Sequence, residues 1–462
     1  MKKICLWMIM FSCAFSAFAQ TPAEPQRISP DSAVEMAIRN NLNLEAARIG
    51  LDIKRRKTNL VWNQFLPNAT LAGTLAHDNF ATKSEGVIGS MPYSITLPQW
   101  HVNGLFSATL DFSFALFAGI KSFRLDYEAG LVSLDKARLQ IEQGVRKIYN
   151  NILLLEANLE LLNESYSNAQ RQSAIAEANF RAGLIPRLTW LQAQVGVQNM
   201  RPAVTDLENT LKTLKGNFAL LIGLPLDSSF ELESPVFEES DIPMDMSELI
   251  SRAVTRKPDI LELQAAITTL QSQKKALSLQ QLTPFIRLGW DISYLFNPLL
   301  DPFKDNLFTG SNWKGSGTFS VTLGLSLNTL FPFAKEGQQR KDMDAAIQIQ
   351  NIMLAQKILE TELEVHTKLA SLENIMSNIE VQRSSVGLAE QSYRLTEEAY
   401  RAGLQDYQAV QSSGLALDQA KLQLLTQRFN YLNDLIDLEY SIGVPFGTLS
   451  STETPDSNGS SK

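Results

Sequence analysis

The chain has 462 residues, a formal net charge of −8 at pH 7 and a hydrophobic content of 44%. An acidic chain without a basic block is a poor partner for nucleic acid. Beyond its N-terminus it has no run of 18 or more apolar residues, so we predict no transmembrane helix.

The N-terminus has the pattern of a secretory signal peptide. A positive start with Lys2 and Lys3 precedes an apolar run, and Ala17-Phe18-Ala19 forms a small-residue cleavage site. We therefore predict a signal peptide over 1–19 and an exported mature chain. Both cysteines, Cys5 and Cys13, lie inside it, which leaves no thiol for disulfides or catalysis. The residues before Cys13 do not resemble a lipidation site, so no lipid anchor is expected.

Two motifs occur twice at one common spacing, since 400 − 180 and 442 − 222 both equal 220. A period of this length is too long for a solenoid unit and indicates one large duplicated unit. We predict repeat 1 over 20–227, a linker over 228–245, repeat 2 over 246–447 and a disordered tail over 448–462. The repeated motifs are Phe180-Arg181-Ala182-Gly183-Leu184 with Tyr400-Arg401-Ala402-Gly403-Leu404, and Ile222-Gly223-Leu224-Pro225 with Ile442-Gly443-Val444-Pro445.

Each repeat contains two segments in which apolar and polar residues alternate, the pattern of a half-buried strand. The predicted strands cover about 66–77, 104–118, 284–296 and 317–330. Their length of about ten residues suits a tilted bilayer crossing. Long polar loops, 78–103 and 297–316, separate the strands of each pair, and aromatic residues end the apolar faces at Phe106, Phe117, Tyr294 and Phe319. These features favour a membrane β-barrel over a soluble β-sandwich.

The alternation assigns a side to each strand residue. Apolar residues should face lipid and their polar neighbours an aqueous lumen. The lipid-facing prediction covers Leu110, Phe112, Leu288, Trp290, Leu323 and Leu325; the lumen-facing charges are Asp111, Arg287 and Asp291. Asp111 and Asp291 can form rings of like charge or pair with Arg287, and both interpretations stay open.

Four strands cannot close a barrel, because eight is the practical minimum and an open edge cannot lie in lipid. The chain must therefore oligomerise. Two copies would give eight strands and three would give twelve, and these arguments permit either.

Long coiled helices complete each repeat. Apolar residues recur every seven positions over more than four heptads, which is typical of a coiled coil. We predict helical hairpins over 121–222, with its tip at Gly183, and over 335–442, with its tip at Gly403. The seams are Leu134, Ile141, Ile148, Leu155, Leu162, Ala169 and Ala176 in the first hairpin, and Ile358, Val365, Leu372, Ile379, Val386, Tyr393 and Tyr400 in the second.

Nothing in the sequence requires an active site, so we predict neither an enzyme nor a cofactor. The three histidines, His77, His101 and His366, are scattered, whereas a zinc site needs clustered ligands. Two other classes remain as alternatives. One is a secreted periplasmic coiled-coil adaptor or binding protein with a soluble β-domain; the other is a surface enzyme that uses the barrel as its anchor.

The two aromatic-x-x-Gly hairpin tips, the repeat endings and the repeat starts at 37–44 and 253–260 together resemble the outer-membrane efflux protein family of TolC type. The resemblance covers about 28–447. It implies a mixed fold, a membrane β-barrel continued by an all-α coiled-coil barrel, in which four strands per chain complete a 12-stranded barrel as a homotrimer. It also implies the outer membrane of a Gram-negative bacterium and passive export of small molecules or polypeptides, in a tripartite efflux pump or a type I secretion system.

By the same resemblance the hairpin tips dock on a periplasmic adaptor, which links to an inner-membrane transporter of RND, ABC or MFS type. The residues expected to dock are Ala182, Gly183, Leu184, Arg187, Ala402, Gly403, Leu404 and Asp406. One departure concerns gating. The TolC type carries acidic residues six positions after each tip glycine, where this chain has Thr189 and Ala409, so an aspartate ring is not expected.

Overall fold

The computed structural model describes residues 26–81, 83–96, 99–226, 228–234, 245–296, 313–327, 331 and 334–449. The predicted signal peptide lies outside the described residues. So do most of the predicted linker, most of the second long loop and nearly all of the predicted tail.

The first repeat and the linker after it contain six strands and four α-helices among their described residues. They are β1 (Gln26–Ile28), α1 (Pro30–Asn40), α2 (Leu42–Asn59), a 3-10 helix (Val61–Phe65), β2 (Asn68–His77), β3 (Lys83–Ile88), β4 (Met91–Thr96), β5 (Trp100–Ser113), α3 (Phe114–Arg181), α4 (Arg187–Ile222) and β6 (Phe230–Leu232).

The second repeat has the same order of helices and long strands. Its elements are α5 (Met246–Arg256), α6 (Pro258–Leu282), β7 (Phe285–Phe296), β8 (Trp313–Gly324), α7 (Lys335–Arg401) and α8 (Tyr407–Ile442). The chain divides into two compact units. One comprises 1–45, 137–257 and 361–462; the other comprises 46–136 and 258–360. We call them the hairpin unit and the sheet unit.

The sheet unit is built on four antiparallel strands in the order β2-β5-β7-β8. A separate antiparallel hairpin, β3 with β4, lies in the segment between β2 and β5. The predicted polar loop over 78–103 is therefore wrong in part, because it contains this hairpin and the first residues of β5. Gly89, with φ of 68°, makes the tight turn between β3 and β4, as two-residue hairpin turns require.

Two predicted strand ends are also wrong. The second strand, expected over 104–118, runs over Trp100–Ser113, and Phe114 already belongs to helix α3. Phe117 is therefore a helix residue and not the aromatic end of a strand. A short apolar run fits either a strand or a buried helix, which explains the error. The fourth strand, expected over 317–330, runs over Trp313–Gly324, so Leu325 lies just beyond it.

Capping residues mark where the two helices at the start of the first repeat begin. The Ser29 side chain accepts a hydrogen bond from the backbone N–H of Ser32, and Pro30 occupies the first turn of α1. Helix α1 ends before Asn41, whose side chain caps α2 by accepting from the backbone N–H groups of Asn43 and Leu44. In α4, Pro202 lies inside a continuous helix.

The repeated Ile-Gly-(Leu/Val)-Pro motifs end the return helices at close contacts with the start of each repeat. Gly223 and Gly443 have φ of 80° and 65°. A Cβ on Gly223 would lie 2.4 Å from Asn40 Cβ, and a Cβ on Gly443 would lie 2.6 Å from the Arg256 carbonyl oxygen. Only glycine satisfies both the backbone angle and the space. These motifs therefore serve packing between the two ends of each repeat.

Each of the two helical hairpins in the hairpin unit has its own hydrophobic core. In the first, Tyr149 is fully buried beside Phe218, and its hydroxyl lies within hydrogen-bond distance of the Ile28 and Glu233 carbonyl oxygens. Burial raises the pKa of Tyr149 to about 12. The contact holds α3 against the parallel pair formed by β1 and β6. In the second, Val365, Leu372 and Ile379 of the predicted seam are buried.

A charged cluster ties α8 to both long helices of the hairpin unit. Asp437 Oδ1 accepts from Lys147 Nζ of α3 at 2.7 Å, and its Oδ2 accepts from Lys368 Nζ of α7 at 2.8 Å. Lys368 also donates to Asp434 at 2.6 Å. The Asp437 side chain is only 15% exposed. Burial disfavours its ionisation, but the two lysine hydrogen bonds outweigh this and lower the pKa of Asp437.

The charge of Asp437 should stabilise the protein in a pH-dependent way. Because its folded pKa lies below the unfolded value of about 3.9, its contribution is present above that pH and is lost as the pH falls through the folded pKa. We expect Asp437→Asn to cost about 2 kcal/mol at neutral pH and to flatten the acid limb of stability. Thermal unfolding in detergent between pH 3 and 7 measures both, with the exposed Glu373→Gln as control. If the Asp437→Asn variant and the parent lost stability equally as the pH falls, this role of the Asp437 charge would be contradicted.

No helix among the described residues is both long enough and apolar enough to be a candidate membrane span.

Candidate functional site

The first hairpin tip is a tight helix-ending turn. Leu184 N donates to the Asn179 carbonyl oxygen at 2.9 Å, and Gly183 N donates to the Phe180 carbonyl oxygen at 2.9 Å. This is the Schellman arrangement, and it requires the φ of 73° found at Gly183. No atom beyond the adjoining residues lies within 4 Å of the position that a Cβ on Gly183 would occupy.

The second tip repeats this geometry. Leu404 N donates to the Ala399 carbonyl oxygen at 2.9 Å, Gly403 N donates to the Tyr400 carbonyl oxygen at 3.0 Å, and Gly403 also has φ of 73° with open space around it. Leu184 and Leu404 are 73% and 80% exposed. Each turn therefore presents an unpacked leucine beside a glycine whose surroundings are empty.

The two tips differ in the residues that follow the turn. In the first, Pro186 precedes α4, and Phe180 stacks on Trp190 with ring centroids 5.3 Å apart. In the second, Asp406 caps α8 by accepting from Ala409 N at 2.8 Å. Tip residues Ala182, Arg187, Ala402 and Asp406 are exposed. Asp406 thus has a helix-capping role, which its position before α8 in the sequence could have indicated.

The register of the sheet brings the predicted lipid-facing residues of the strands onto one face. Leu110 lies opposite Leu288, which lies opposite Val321. Phe112, Ile286 and Leu323 form the next row, and Trp290 lies opposite Phe319. Trp290, Val321 and Leu323 are 51%, 64% and 74% exposed. Leu325 is outside the strand, so the register gives it no face. The result is a continuous, exposed apolar surface on one side of the sheet.

The other face is polar. Arg287 Nε donates to Asp111 Oδ1 at 2.6 Å and Arg287 Nη2 donates to Asp111 Oδ2 at 3.1 Å, across directly paired positions of β5 and β7. Asp291 lies on the same face, opposite Ser107 and Thr318. The structure therefore pairs Asp111 with Arg287, one of the two arrangements left open by the sequence, and places Asp291 away from that pair.

Apolar residues interrupt the polar face at Leu105, Leu295 and Phe285. Phe285 lies opposite Gly324, and its ring covers the glycine so closely that a Cβ there would lie 2.4 Å from Phe285 Cζ. Tyr294 covers Gly315 in the same way on the apolar face. Aromatic rings over glycine compensate for the missing side chain in a strand pair. The alternation pattern did not reveal these contacts, because they join residues of two strands.

Ionic selectivity should depend on both aspartates of the polar face. A half-exposed bidentate pair neutralises Asp111, whereas Asp291 adds negative charge to the polar face. We expect Asp291→Asn to lower the cation-over-anion preference in bilayer recordings, and Asp111→Asn, which releases Arg287, to lower it as well. The charge-preserving Asp291→Glu serves as control. No shift from either asparagine variant would contradict the prediction that this face lines an aqueous lumen.

Among the described residues, no group of three or more histidine, cysteine or acidic side chains could hold a metal ion.

A duplicated unit of paired strands and long helical hairpins, with a four-stranded sheet that is apolar on one face, defines the TolC-like class of outer-membrane channels. The sequence model described as "Outer membrane efflux protein" matches residues 33–224 and 249–444, one segment in each repeat. The chain belongs to this outer membrane efflux protein family. It is accordingly an outer-membrane efflux channel, in a family of non-enzymatic transport proteins.

Solved structures share the fold. The chain superposes on the channel CusC with a TM-score of 0.70 and 18% identity, over 90% of this chain and 92% of CusC. The outer membrane protein VceC from Vibrio cholerae gives 0.70 and 18%, over 90% and 96%. The outer membrane channel CmeC of Campylobacter jejuni gives 0.72 and 14%, over 90% and 85%. No protein with a curated description matches the chain.

Proposed function

We propose that three copies of this chain close a 12-stranded barrel in the outer membrane and that their helical hairpins form a periplasmic tunnel. The assembly is the exit duct of a tripartite efflux pump or a type I secretion system. It passively exports small molecules, such as drugs and toxic compounds, or polypeptides. The observation that supports this proposal is a sheet with one apolar face and two open edges.

The open edges belong to β2 and β8. In the described sheet each of these strands has one neighbour, β5 and β7 respectively. An open edge in lipid leaves backbone N–H and C=O groups without partners, which costs several kcal/mol for each group. Pairing β8 of one copy with β2 of the next satisfies both edges. Channels of this family form trimers, which supports twelve strands over eight.

The hairpin tips are the proposed contact with the rest of the pump. Family channels work with adaptors and inner-membrane pumps, and the exposed leucines and open glycines at both tips suit docking of an adaptor. The adaptor in turn would link the duct to an inner-membrane transporter of RND, ABC or MFS type. The Thr189 and Ala409 positions carry no charge, so no cation-sensitive aspartate ring is proposed.

Stoichiometry tests the proposal. The full chain, extracted from membranes in detergent, should have the mass of three copies by light scattering and should form discrete ion-conducting pores in planar bilayers. A mass of two copies would indicate an eight-stranded barrel and contradict the trimer. Release without detergent as a monomer that forms no pores would favour the secreted coiled-coil adaptor with a soluble β-domain.

A further inference from the structure

The hairpin unit contains a cavity of ≈ 340 Å³ among four long helices, close to the second tip. Residues of α3, α4, α7 and α8 all line it. Small residues make the space, since Gly196 of α4 and Gly414 of α8 lie where larger side chains would fill it. A Cβ on Gly196 would lie 3.3 Å from the amide nitrogen of Gln411, and one on Gly414 would lie 3.3 Å from the Tyr393 ring.

The cavity lining carries a net negative charge, because it has two carboxylates and one lysine. Asp418 of α8 and Glu164 of α3 both line it, as does Lys421. Lys421 lies 3.8 Å from Glu390, so its charge is already shared with a third carboxylate. Asp418 Oδ2 accepts a hydrogen bond from Ser165 Oγ at 2.5 Å. Burial nevertheless raises the pKa of Asp418, and the proximity of Glu164 adds to the effect.

A second observation is a largely buried tyrosine whose hydroxyl group forms no hydrogen bond in the part of the chain that the structure describes. Tyr407 is 4% exposed and lines the cavity. Its hydroxyl oxygen would lie 3.7 Å from a Cβ on Gly196, so it points across the space between α8 and α4. Within the described residues no group forms a hydrogen bond with it. A phenolic hydroxyl can donate and accept a hydrogen bond, so this one is available to a ligand in the cavity.

Aromatic and apolar side chains form another part of the cavity lining. The rings of Tyr393 and Tyr407 face a space that Met200, Val410 and Leu417 also border. Carboxylates with tyrosine rings attract organic cations by charge and by cation–π contact, and the apolar side chains suit a hydrocarbon group. Burial of a ligand in a mainly apolar cavity with a few convergent polar groups is the usual form of a small-molecule site.

We propose that this cavity binds a small organic cation, a protonated amine attached to an apolar group. Asp418 and Glu164 would hold the ammonium group, the Tyr407 hydroxyl would hydrogen-bond to the ligand, and the aromatic rings would flank its apolar part. The site is separate from the tips and from the sheet faces described above.

Such a ligand would stabilise the helix arrangement in the structure. It would contact helices of both hairpins at once, and any ligand that binds one conformation shifts the equilibrium towards it. A change in which the helices of one hairpin moved relative to the other would have to break these contacts. Binding should therefore raise the unfolding temperature of the full chain.

Calorimetric titration tests the site. The full-length protein in detergent is titrated with phenethylammonium, and with phenethyl alcohol as the neutral analogue of similar shape. We expect the ammonium compound to bind at least about tenfold more tightly than the alcohol, a difference of about 1.4 kcal/mol. Asp418→Asn should weaken ammonium binding by about tenfold or more and leave alcohol binding nearly unchanged.

Two further variants test whether the compounds bind in the cavity or elsewhere on the protein. Gly196→Leu places a Cβ 3.3 Å from the flexible Gln411 side chain and fills the space, so it should abolish binding of both compounds. Glu373→Gln removes one exposed carboxylate of α7 outside the cavity, and should bind as the parent does. Equal binding of amine and alcohol, or unchanged binding in both Asp418→Asn and Gly196→Leu, would overturn the proposal. So would no binding of the amine at 10 mM, which would mean that the cavity holds water only.

Discussion

Replacing Gly403 or Gly183 with tryptophan should abolish efflux while leaving a membrane-inserted trimer. Both glycines have φ of 73° in helix-ending turns, and no atom beyond the adjoining residues lies within 4 Å of a Cβ at either position. The substitution therefore costs roughly 1 kcal/mol of backbone strain, and its Cβ lies in open space. A bulky indole would instead occupy the surface proposed for the adaptor. Drug susceptibility of cells and crosslinking to the adaptor measure the loss.

Alanine at the same positions is the matched control. It introduces the same backbone strain with little bulk, so Gly403→Ala should retain most activity if the tryptophan acts by blocking contact. A tryptophan variant that exports and crosslinks normally would show that the glycines only cap helices, and would move the docking surface elsewhere. Loss of the trimer in the alanine variant would show that the caps themselves are needed for assembly.

An arginine on the apolar face of β8 should prevent assembly in the membrane. Val321 lies opposite Leu288 and nearer the middle of β8 than Leu323, which is one residue from the strand's end. An arginine facing lipid costs about 2–4 kcal/mol at the bilayer midplane and much less near the interfaces. Val321→Arg should therefore impair assembly more than Leu323→Arg does. Heat-modifiable trimer on gels and the amount of protein in the outer membrane measure this effect.

Thr318→Arg provides the control from the opposite face of the same strand. Thr318 lies opposite Asp291, so an arginine there gains a carboxylate neighbour in what we propose to be a water-filled lumen. This variant should assemble normally and change the conductance. Equal assembly of Val321→Arg and Thr318→Arg would contradict the assignment of the faces. If Thr318→Arg failed to assemble while Val321→Arg assembled normally, the polar face would be the one that faces lipid.

The parts of the fold that depend on local pattern could be predicted from the sequence. The tip and end motifs recur because each needs a glycine with positive φ at a helix end, and such a need is visible in one residue. The seams could be identified because burial repeats every seven residues, and Val365, Leu372 and Ile379 are buried as that pattern requires. The faces of the strands followed from alternation in the same way.

The features that the sequence did not reveal depend on pairs of distant residues. The end of β5 was misplaced because Phe114 and Phe117 fit a strand face and a helix face equally well. The pairing of Asp111 with Arg287 depends on the register between two strands 176 positions apart. The cavity beside Tyr407 depends on two glycines that lie in different helices. A turn signal could have revealed the β3–β4 hairpin, since Gly89-Ser90 separates two short strands.

The open edges of the sheet have a consequence for biogenesis. A single copy offers two unpaired strands and an exposed apolar surface, which together form a template for non-native association. Its sheet cannot reach a stable, fully hydrogen-bonded state before it meets other copies, so maturation should follow the kinetics of a multimolecular reaction. When synthesis is reduced, the yield of closed barrels would then fall by a larger factor than the rate of synthesis. At high synthesis rates, mispaired aggregates would compete with the closed barrel.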